Sequence, residues 1–336
     1  MDFRESKQLI SCRVTAESFA IKGSFRIARG AKTSADVITV SLFTAAGERG
    51  WAEAVPYARY GETITSVAAQ LAPIASQKLT ISDVSEICSE LPAGAARNAL
   101  DCALHDLEAK ISGERVHSRL GTSTPKALKS AFTLSLDTPE KMGLAAAEAS
   151  QKHSLLKIKL GGADDIACMN TVRKNAPAAK MIIDANEGWE EDDLADLLSV
   201  AADCGAALIE QPLSSNADEV LLELQSPVPI CADESAHTTE DLEALIGKYE
   251  YVNIKLDKTG GLTEAIKMQT RARELGFGVM VGCMVGTSLA MAPAVLLAQS
   301  AHFVDLDGPL LLATDRKQSL TYNGDTVSPP EPDLWG

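Results

Sequence analysis

The sequence has no surplus of basic residues, and this shortage excludes a large class of partners. Its 336 residues include 31 Lys and Arg against 46 Asp and Glu, which gives a formal net charge of −15. A surface that binds nucleic acid needs basic side chains to neutralise phosphates. We therefore expect no nucleic-acid partner, and the acidic balance otherwise indicates only good solubility.

Long apolar runs and paired cysteine motifs are also missing. No stretch approaches the roughly 20 apolar residues of a transmembrane helix, and the opening MDFRESKQLI lacks the apolar segment of a secretory signal. The seven cysteines are odd in number and contain no C-x-x-C pair, which predicts scattered free thiols rather than disulfides or zinc ligands. We expect a cytoplasmic protein with no membrane segment.

What the chain does contain is two regions with different patterns. Residues 12–21, 36–43 and 51–54 alternate like strands, and residues 93–110 carry apolar side chains at helical spacing. These patterns predict a small antiparallel α+β domain over residues 1–122. The tail, residues 315–336, is rich in proline and polar residues, and we expect it to fold back over this domain.

Between these two regions, strand-like runs alternate with helical segments at a nearly constant period. One landmark per run recurs every 22 to 26 residues. The landmarks are Leu134, Lys159, Asp184, Glu210, Asp233, Lys255, Val281 and Asp305. Eight strands that alternate with helices at this period predict an α/β fold, a (β/α)₈-type TIM barrel, over residues 123–314.

Three acids end three successive apolar runs: Asp184, Glu210 and Asp233. Neighbouring strand ends in a barrel lie about 5 Å apart, so the three carboxylates should converge. Converging negative charge is costly unless a cation is present, and an all-oxygen set selects Mg²⁺ or Mn²⁺ over zinc. Solvated, unrelated acids at the barrel mouth would explain one such residue but explain three poorly.

Two lysines flank the acids, Lys159 one strand earlier and Lys255 one strand later. A substrate carboxylate bound at the metal would place its α-carbon between them. One lysine could then remove the α-proton, the metal would stabilise the enediolate, and the other lysine could return a proton. Lys157 lies two residues before Lys159 and shares its face, so its charge could support Lys159 or bind the substrate carboxylate.

These motifs resemble the enolase superfamily, in its muconate-lactonising subgroup, over nearly the whole chain. The carrying segments are Lys157-Ile158-Lys159, Asp184-Ala185-Asn186, Ile209-Glu210-Gln211-Pro212, Asp233-Glu234-Ser235 and Lys255, with Ala96-Arg97-Asn98-Ala99-Leu100-Asp101 in the first domain. The resemblance implies a modified (β/α)₇β barrel with an N-terminal capping domain. The related mandelate-type subgroup uses a histidine base, and neither His237 nor His302 lies at a fitting position.

The resemblance also assigns the substrate pocket. Asp305-Leu306-Asp307 resembles the element with which dipeptide epimerases hold the substrate's free α-ammonium, although a solvated acidic strand end would look the same. Cys283 and Met284, in the loop after the seventh strand, would contact the dipeptide backbone, and Thr133 joins this substrate-binding set. Either Arg29 or Arg26, in a covering loop, would pair with a side-chain carboxylate.

Together the resemblance implies an Mg²⁺-dependent dipeptide epimerase that inverts the glutamate α-carbon of Ala-Glu dipeptides released from murein peptides. Other reactions of the subgroup stay open: a lyase like o-succinylbenzoate synthase, an N-acylamino acid racemase or a cycloisomerase. A catalytically silent relative would not need all five residues from Lys159 to Lys255. A homo-oligomer is compatible with the sequence, which does not report the oligomeric state.

Overall fold

The computed structural model describes residues 8–336, and its N-terminal part is an antiparallel sheet with helices packed on it. The elements of this part are β1 (Leu9–Ile27), β2 (Gly30–Thr44), β3 (Arg49–Ala54), α1 (Ile64–Ala75), β4 (Leu79–Thr80), α2 (Ile81–Glu90), α3 (Ala95–Ser112) and α4 (Val116–Arg119). The strands of the sheet have the order β3-β2-β1-β4. The predicted helix over residues 93–110 is confirmed as α3, which ends at Gly113 with the left-handed φ of +73° that glycine tolerates.

The β1–β2 hairpin is longer than the side-chain pattern predicts. The strands pair from Ile10 opposite Thr44 out to Ile27 opposite Gly30, with a register shift between Ala20 and Phe25. Ladder hydrogen bonds join backbone groups, so pairing continues where the alternation of side chains gives no signal. The segment expected as a covering loop is therefore the tip of this hairpin.

A barrel of eight parallel strands follows, which confirms the predicted fold class. Its strands, preceded by the short β5 (Leu128–Lys129), are β6 (Phe132–Leu134), β7 (Leu155–Lys159), β8 (Lys180–Asp184), β9 (Ala206–Glu210), β10 (Ile230–Ala232), β11 (Tyr251–Ile254), β12 (Gly278–Gly282) and β13 (Phe303–Asp305). Each strand pairs with the next along the chain. A hydrogen bond from the Ala131 N–H to the Val304 carbonyl, 2.8 Å long, joins the last strand to the first.

Helices cover the outside of the barrel, except after β9 and β10. The helices are α5 (Pro139–Ala149), α6 (Asp165–Asn175), α7 (Glu191–Asp203), α8 (Leu256–Thr259), α9 (Leu262–Glu274), α10 (Ser288–Leu297) and α11 (Gly308–Leu311). After β9 and β10 the connections hold only the 3₁₀ helices Glu219–Leu222 and Thr239–Leu245. Pro227 and Gly247 lie near the ends of these connections, where both residues disfavour a continuing helix.

Strand register brings the predicted site residues to one rim of the barrel. Lys159 pairs with Asp184, and Asp184 pairs with Glu210. Glu210 pairs with Cys231, so Asp233 lies two residues farther along the next strand. Lys255 directly follows β11. All five residues therefore stand at the carboxyl ends of neighbouring strands, where barrels of this class carry their active sites.

The tail lies against the N-terminal part through two tryptophans. The Trp335 indole N–H donates to the Cys102 carbonyl at 3.0 Å, and the Trp51 indole N–H donates to the Leu334 carbonyl at 2.5 Å. Strands β14 (Tyr322–Asn323) and β15 (Thr326–Val327) form a small sheet with β5. The division into residues 1–122, 123–314 and 315–336 stays a prediction.

The structure also bears on the cysteines and on membrane-spanning helices. All seven cysteines are free thiols, and five of them are buried. Within residues 8–336, no helix combines the length and the apolar character that a membrane span requires.

Asp257, just after β11, is a buried carboxyl that joins the barrel to the N-terminal sheet. Its Oδ1 accepts hydrogen bonds from the Val55 N–H at 2.9 Å and from Asn98 Nδ2 at 2.8 Å. Burial raises the pKa of Asp257 to about 7 from the ordinary value of 3.8. Because folding favours the protonated form, this group's contribution to stability falls as pH rises from about 4 to about 7.

We expect Asp257→Asn to remove this pH dependence while it keeps an Oδ1 acceptor. Relative to the parent chain, the variant should gain about 2 to 3 kcal/mol in free energy of unfolding between pH 5 and pH 8, measured by urea unfolding. Asp137→Asn is the control, because Thr138 and Lys141 lower the pKa of that exposed carboxyl and it stays ionised over this range. Equal differences for both variants would show that Asp257 is not protonated in the folded chain.

Candidate active site

A cavity of about 440 Å³ opens at the carboxyl ends of the barrel strands, beneath the β1–β2 hairpin tip and the 3₁₀ turn Ala58–Tyr60. This volume is typical of a site for a small molecule. All six residues predicted to bind substrate line the cavity: Arg29, Thr133, Cys283, Met284, Asp305 and Asp307. Lys159, Asp233 and Lys255 line it as well, but Arg26 does not. The geometry therefore favours Arg29 over Arg26.

Lys157 lies at the centre of the acids rather than beside the cavity. Its Nζ is 2.9 Å from Asp184 Oδ2, 2.7 Å from Glu210 Oε2 and 2.8 Å from Asp305 Oδ2. Of these three contacts, the one to Asp305 has hydrogen-bond geometry, whereas Glu210 Oε2 lies at ion-pair distance and has no hydrogen-bond partner. Burial opposes the charged form, but the acids outweigh burial and hold the pKa of Lys157 well above its usual value. Lys157 therefore neutralises the acids from the centre of the cluster.

The two flanking lysines contact different acids. Lys159 Nζ donates to Asp184 Oδ2 at 2.5 Å, and Lys255 Nζ donates to Asp233 Oδ2 at 2.6 Å. Both side chains are buried to more than nine-tenths, yet both reach the cavity. Burial lowers the pKa of Lys255, and Asp233 and Glu210 outweigh burial and raise it well above the usual value. These acids therefore favour the ammonium form of Lys255.

Two buried residues that the sequence analysis did not single out hold the acids in place. Lys258 Nζ donates to Asp233 Oδ1 at 2.7 Å and to the Asn253 carbonyl at 2.9 Å, and Asn253 Nδ2 donates to Glu210 Oε1 at 2.8 Å. Asn253 precedes Lys255 by two residues on a strand. The alternation of strand side chains could have indicated that Asn253 shares its inward face.

The donor set fits a hard divalent cation. Asp184, Glu210 and Asp233 each turn one oxygen toward lysine ammonium groups only, and those oxygens could exchange an ammonium for a metal. Carboxylate oxygens are the ligands that Mg²⁺ prefers. Buried oxygens of Asn186 and Glu234, which line the same cavity, also have no hydrogen-bond partner. Over residues 8–336, however, no three acidic, thiol or imidazole side chains are already gathered as a ligand cluster.

The acids differ in how readily they ionise. Burial raises the pKa of Glu210 to about 7, and the Asp184 charge adds to this effect. Burial acts in the same direction on Asp184 and Asp233, but their lysine neighbours outweigh it and lower both pKa values. Glu210 contacts the Lys157 ammonium at 2.7 Å and the neutral Asn253 amide at 2.8 Å, whereas two ammonium groups contact each of the other acids at 2.9 Å or less. This difference explains the contrast.

The Asp305-Leu306-Asp307 element reaches the cavity beside Thr133. Asp307 Oδ2 accepts a hydrogen bond from the Thr133 N–H at 2.6 Å, and Asp305 Oδ1 accepts one from Thr133 Oγ1 at 3.4 Å. Burial and the neighbouring Asp305 raise the pKa of Asp307 to about 7. Asp305 also contacts the central Lys157 at 2.8 Å. It therefore lies beside the cluster formed by Asp184 and Glu210.

Arg29 sits at the hairpin tip and is already bound to protein acids. Its Nη2 donates to Glu234 Oε1 at 2.6 Å, and its Nη1 contacts Glu187 Oε2 at 3.0 Å. Arg59, from the 3₁₀ turn, contacts the same Glu187. Neither Glu187 nor Arg59 belonged to the predicted site, because no periodic pattern links a covering turn to a barrel loop that is 128 residues away.

Comparisons with known proteins agree with this architecture. Residues 9–121 match the mandelate racemase/muconate lactonizing enzyme N-terminal domain, and residues 141–330 match the enolase C-terminal domain-like family. The chain is 48% identical to an N-acetyl-D-glutamate racemase from Pseudoalteromonas over 85% of this chain and 91% of that protein. It is 43% identical to L-Ala-D/L-Glu epimerase from Escherichia coli K12, over 92% and 97%.

Solved structures share the fold of the whole chain. An enolase family member from Agrobacterium tumefaciens, with homology to dipeptide epimerases and with bound sodium and L-Ala-L-Glu, is 49% identical and superposes with a TM-score of 0.91, over 97% of this chain and all of that one. A dipeptide epimerase from Enterococcus faecalis, in complex with Mg and L-Leu-L-Tyr, is 28% identical with a TM-score of 0.88, over 96% and 98%.

The chain belongs to the enolase superfamily, as its motifs predicted. Its near relatives are epimerases and racemases, and it is an enzyme of the isomerase class. Structures related to it were solved with sodium or magnesium and a dipeptide.

Proposed function

We propose that this protein is an Mg²⁺-dependent dipeptide epimerase whose substrate is L-Ala-D/L-Glu, a product of murein peptides. The observation that carries the proposal is the pair of lysines, Lys159 and Lys255, which reach one cavity from strands on either side of three buried acids. A relative that is 43% identical over nearly its whole length bears this activity in its name. The presence of two opposed bases supports inversion at carbon rather than a one-sided elimination.

Asp184, Glu210 and Asp233 would hold the cation. When bound, Mg²⁺ or Mn²⁺ would supply electrostatic stabilisation of the charge that develops on the substrate carboxylate. Lys258 contacts Asp233 through Oδ1 and would keep that acid neutralised and oriented, while Lys157 would keep its contact with Asp305. The role of Lys258 is to position an acid that binds the cation.

The two flanking lysines handle different protons. For one stereoisomer, the neutral Nζ of one lysine removes the α-proton, and the ammonium of the other adds a proton to the opposite face of the enediolate. For the other stereoisomer the roles exchange. Lys255 reaches the cavity as an ammonium and can supply the proton when Lys159 acts as the base.

The two ends of the substrate meet groups of opposite charge. Asp305 and Asp307 would accept the free α-ammonium, and Arg29 would pair with the side-chain carboxylate of glutamate. Cys283 and Met284 line the same cavity and would contact the peptide backbone.

A second substrate class is favoured by one observation. The pKa of Asp307 is raised to about 7, so near neutral pH this carboxyl can carry a proton and donate a hydrogen bond to an acyl carbonyl. A relative that is 48% identical bears the name N-acetyl-D-glutamate racemase. An N-acylated glutamate has no ammonium, and the Asp305–Asp307 pair therefore discriminates between the two candidates.

Asp307→Asn tests the choice. We expect the parent enzyme to exchange the α-proton of L-Ala-L-Glu in D₂O with Mg²⁺, read by mass, faster than that of N-acetyl-L-glutamate. The variant should raise KM for the dipeptide by about tenfold or more, because the ammonium loses a charged acceptor. KM for the acetylated substrate, the internal control, should change little. An unchanged dipeptide KM, with faster exchange of the acetylated compound, would favour the second candidate.

A further inference from the structure

Two arginines from separate segments over the cavity share one carboxylate of the barrel. Arg59 Nε contacts Glu187 Oε2 at 2.8 Å, and Arg59 Nη2 contacts Glu187 Oε1 at 2.8 Å. Arg29 Nη1 contacts the same Glu187 Oε2 at 3.0 Å. The paired contacts from Arg59 are the bidentate geometry in which a guanidinium binds a carboxylate most strongly. Glu187 is therefore held firmly by Arg59 and more loosely by Arg29.

The protein builds this position with some strain. Glu187 lies in the loop after β8 and has a φ of +66°, a left-handed conformation that non-glycine residues adopt at a cost. The Ser215 N–H donates to its Oε1 at 2.9 Å, and its side chain is only 7% exposed. A buried carboxylate in a strained backbone, between two arginines beside a substrate cavity, indicates a role in the site.

Arg29 has little free capacity for a substrate. Its Nη1 donates to the Asn186 carbonyl at 2.6 Å as well as to Glu187, and its Nη2 donates to Tyr57 Oη at 3.2 Å and to Glu234. Both terminal nitrogens thus use both hydrogens within the protein. A substrate carboxylate can bind this guanidinium well only if it replaces an acceptor that is already there.

Of the two carboxylates on Arg29, Glu187 can be replaced at the lower cost. If it leaves Arg29, both of its oxygens keep Arg59, and Oε1 also keeps the Ser215 N–H. Glu234 has no such reserve, because its Oε2 is buried without a hydrogen-bond partner. Loss of Arg29 would leave Glu234 with one long contact, from Asn186 Nδ2 at 3.4 Å.

We propose that Glu187 is a specificity-determining residue, a built-in competitor for Arg29 that the side-chain carboxylate of the substrate displaces. The inference rests on the proposed function and adds to it. With an acidic dipeptide, the substrate takes Arg29 while Glu187 stays with Arg59. With a neutral side chain, Glu187 remains on Arg29, so the half-buried guanidinium is never unpaired. Glu187 therefore widens the range of side chains that the site accepts and weakens its preference for glutamate.

Two substitutions should shift this preference in opposite directions. Glu187→Gln removes the competitor, so the ratio of kcat/KM for L-Ala-L-Glu to that for L-Ala-L-Gln should rise by roughly tenfold. Arg59→Gln removes a positive charge and frees Glu187 for Arg29, so the ratio should fall by a similar factor. Mere loosening of the covering segments would change both ratios the same way. Glu219→Gln, on a 77% exposed side chain outside the cavity, is the charge-matched control.

The outcomes separate this inference from the proposed function. Opposite shifts support the role of Glu187, whereas parallel shifts or unchanged ratios overturn it and leave the epimerase proposal intact. If the parent enzyme turned over neither dipeptide, the epimerase proposal would fail. The ratio of the two Kd values, measured by calorimetry for the parent and both variants, would then decide the role of Glu187. Absence of binding of either dipeptide by the parent would overturn both.

Discussion

Replacement of either Lys159 or Lys255 by alanine should lower epimerisation of L-Ala-L-Glu by about 10³-fold or more, because each substitution removes one of the two groups that move the α-proton. Inversion should be lost, but exchange of the α-proton should be lost only in part. A chain that keeps one lysine can still exchange the α-proton of one stereoisomer with D₂O, although it cannot complete the inversion. The two variants should therefore exchange opposite stereoisomers.

The contacts predict that both variants fold. Without Lys159, the Asp184 carboxylate keeps Lys157, and without Lys255 the Asp233 carboxylate keeps Lys258. Neither substitution leaves a buried acid without a cation, which is the costly outcome. Lys141→Ala, on a side chain that is 67% exposed, is the matched control and should keep full activity. Full turnover by both site variants, with melting temperatures close to that of the parent, would refute the two-base mechanism.

The barrel and its rim could be predicted because a repeated unit amplifies a weak signal. One strand with a charged residue at its end means little, but Lys159, Asp184 and Glu210 recur at the period of one strand and one helix. Parallel pairing in register then leaves few alternatives for where such residues meet. The spacing of these residues along the chain therefore predicts that they meet at one rim of the barrel.

The side-chain contacts within the site could not be predicted in the same way. The sequence shows that Lys157 shares a face with Lys159, but only the packed barrel shows its ammonium between the oxygens of Asp184 and Glu210. Likewise, the sequence offers Arg29 or Arg26 as the partner of a substrate carboxylate, and the structure shows Arg29 bound to Glu234 and Glu187. Such pairings depend on side-chain reach across elements that are distant in sequence, and no local period records them.

The second large effect concerns the carboxylates. Glu210→Gln should weaken Mg²⁺ binding by at least tenfold and lower turnover by a factor of about 10² or more, since an amide brings no charge to the cation. Glu210 is the most informative of the three acids. Asn253 donates to its Oε1, and Lys157 contacts its Oε2. Glutamine has the same shape as glutamate, and its one remaining oxygen can keep one of these contacts. We expect chelation with EDTA to abolish turnover of the parent and Mg²⁺ to restore it.

Calorimetric titration of Mg²⁺ into the chelated protein separates binding of the cation from catalysis. The parent should bind one ion, the Glu210→Gln variant should bind it more weakly, and the Glu219→Gln control should match the parent. Lys157 also affects the measured affinity for Mg²⁺, because its ammonium lies between the oxygens that the cation needs. Removal of the Glu210 charge weakens the hold on that ammonium as well as on the metal. If the variant bound Mg²⁺ as tightly as the parent, Glu210 would be a partner of Lys157 alone, and the ligand set would have to be sought among Asp184, Asp233 and the unpartnered oxygens of Asn186 and Glu234.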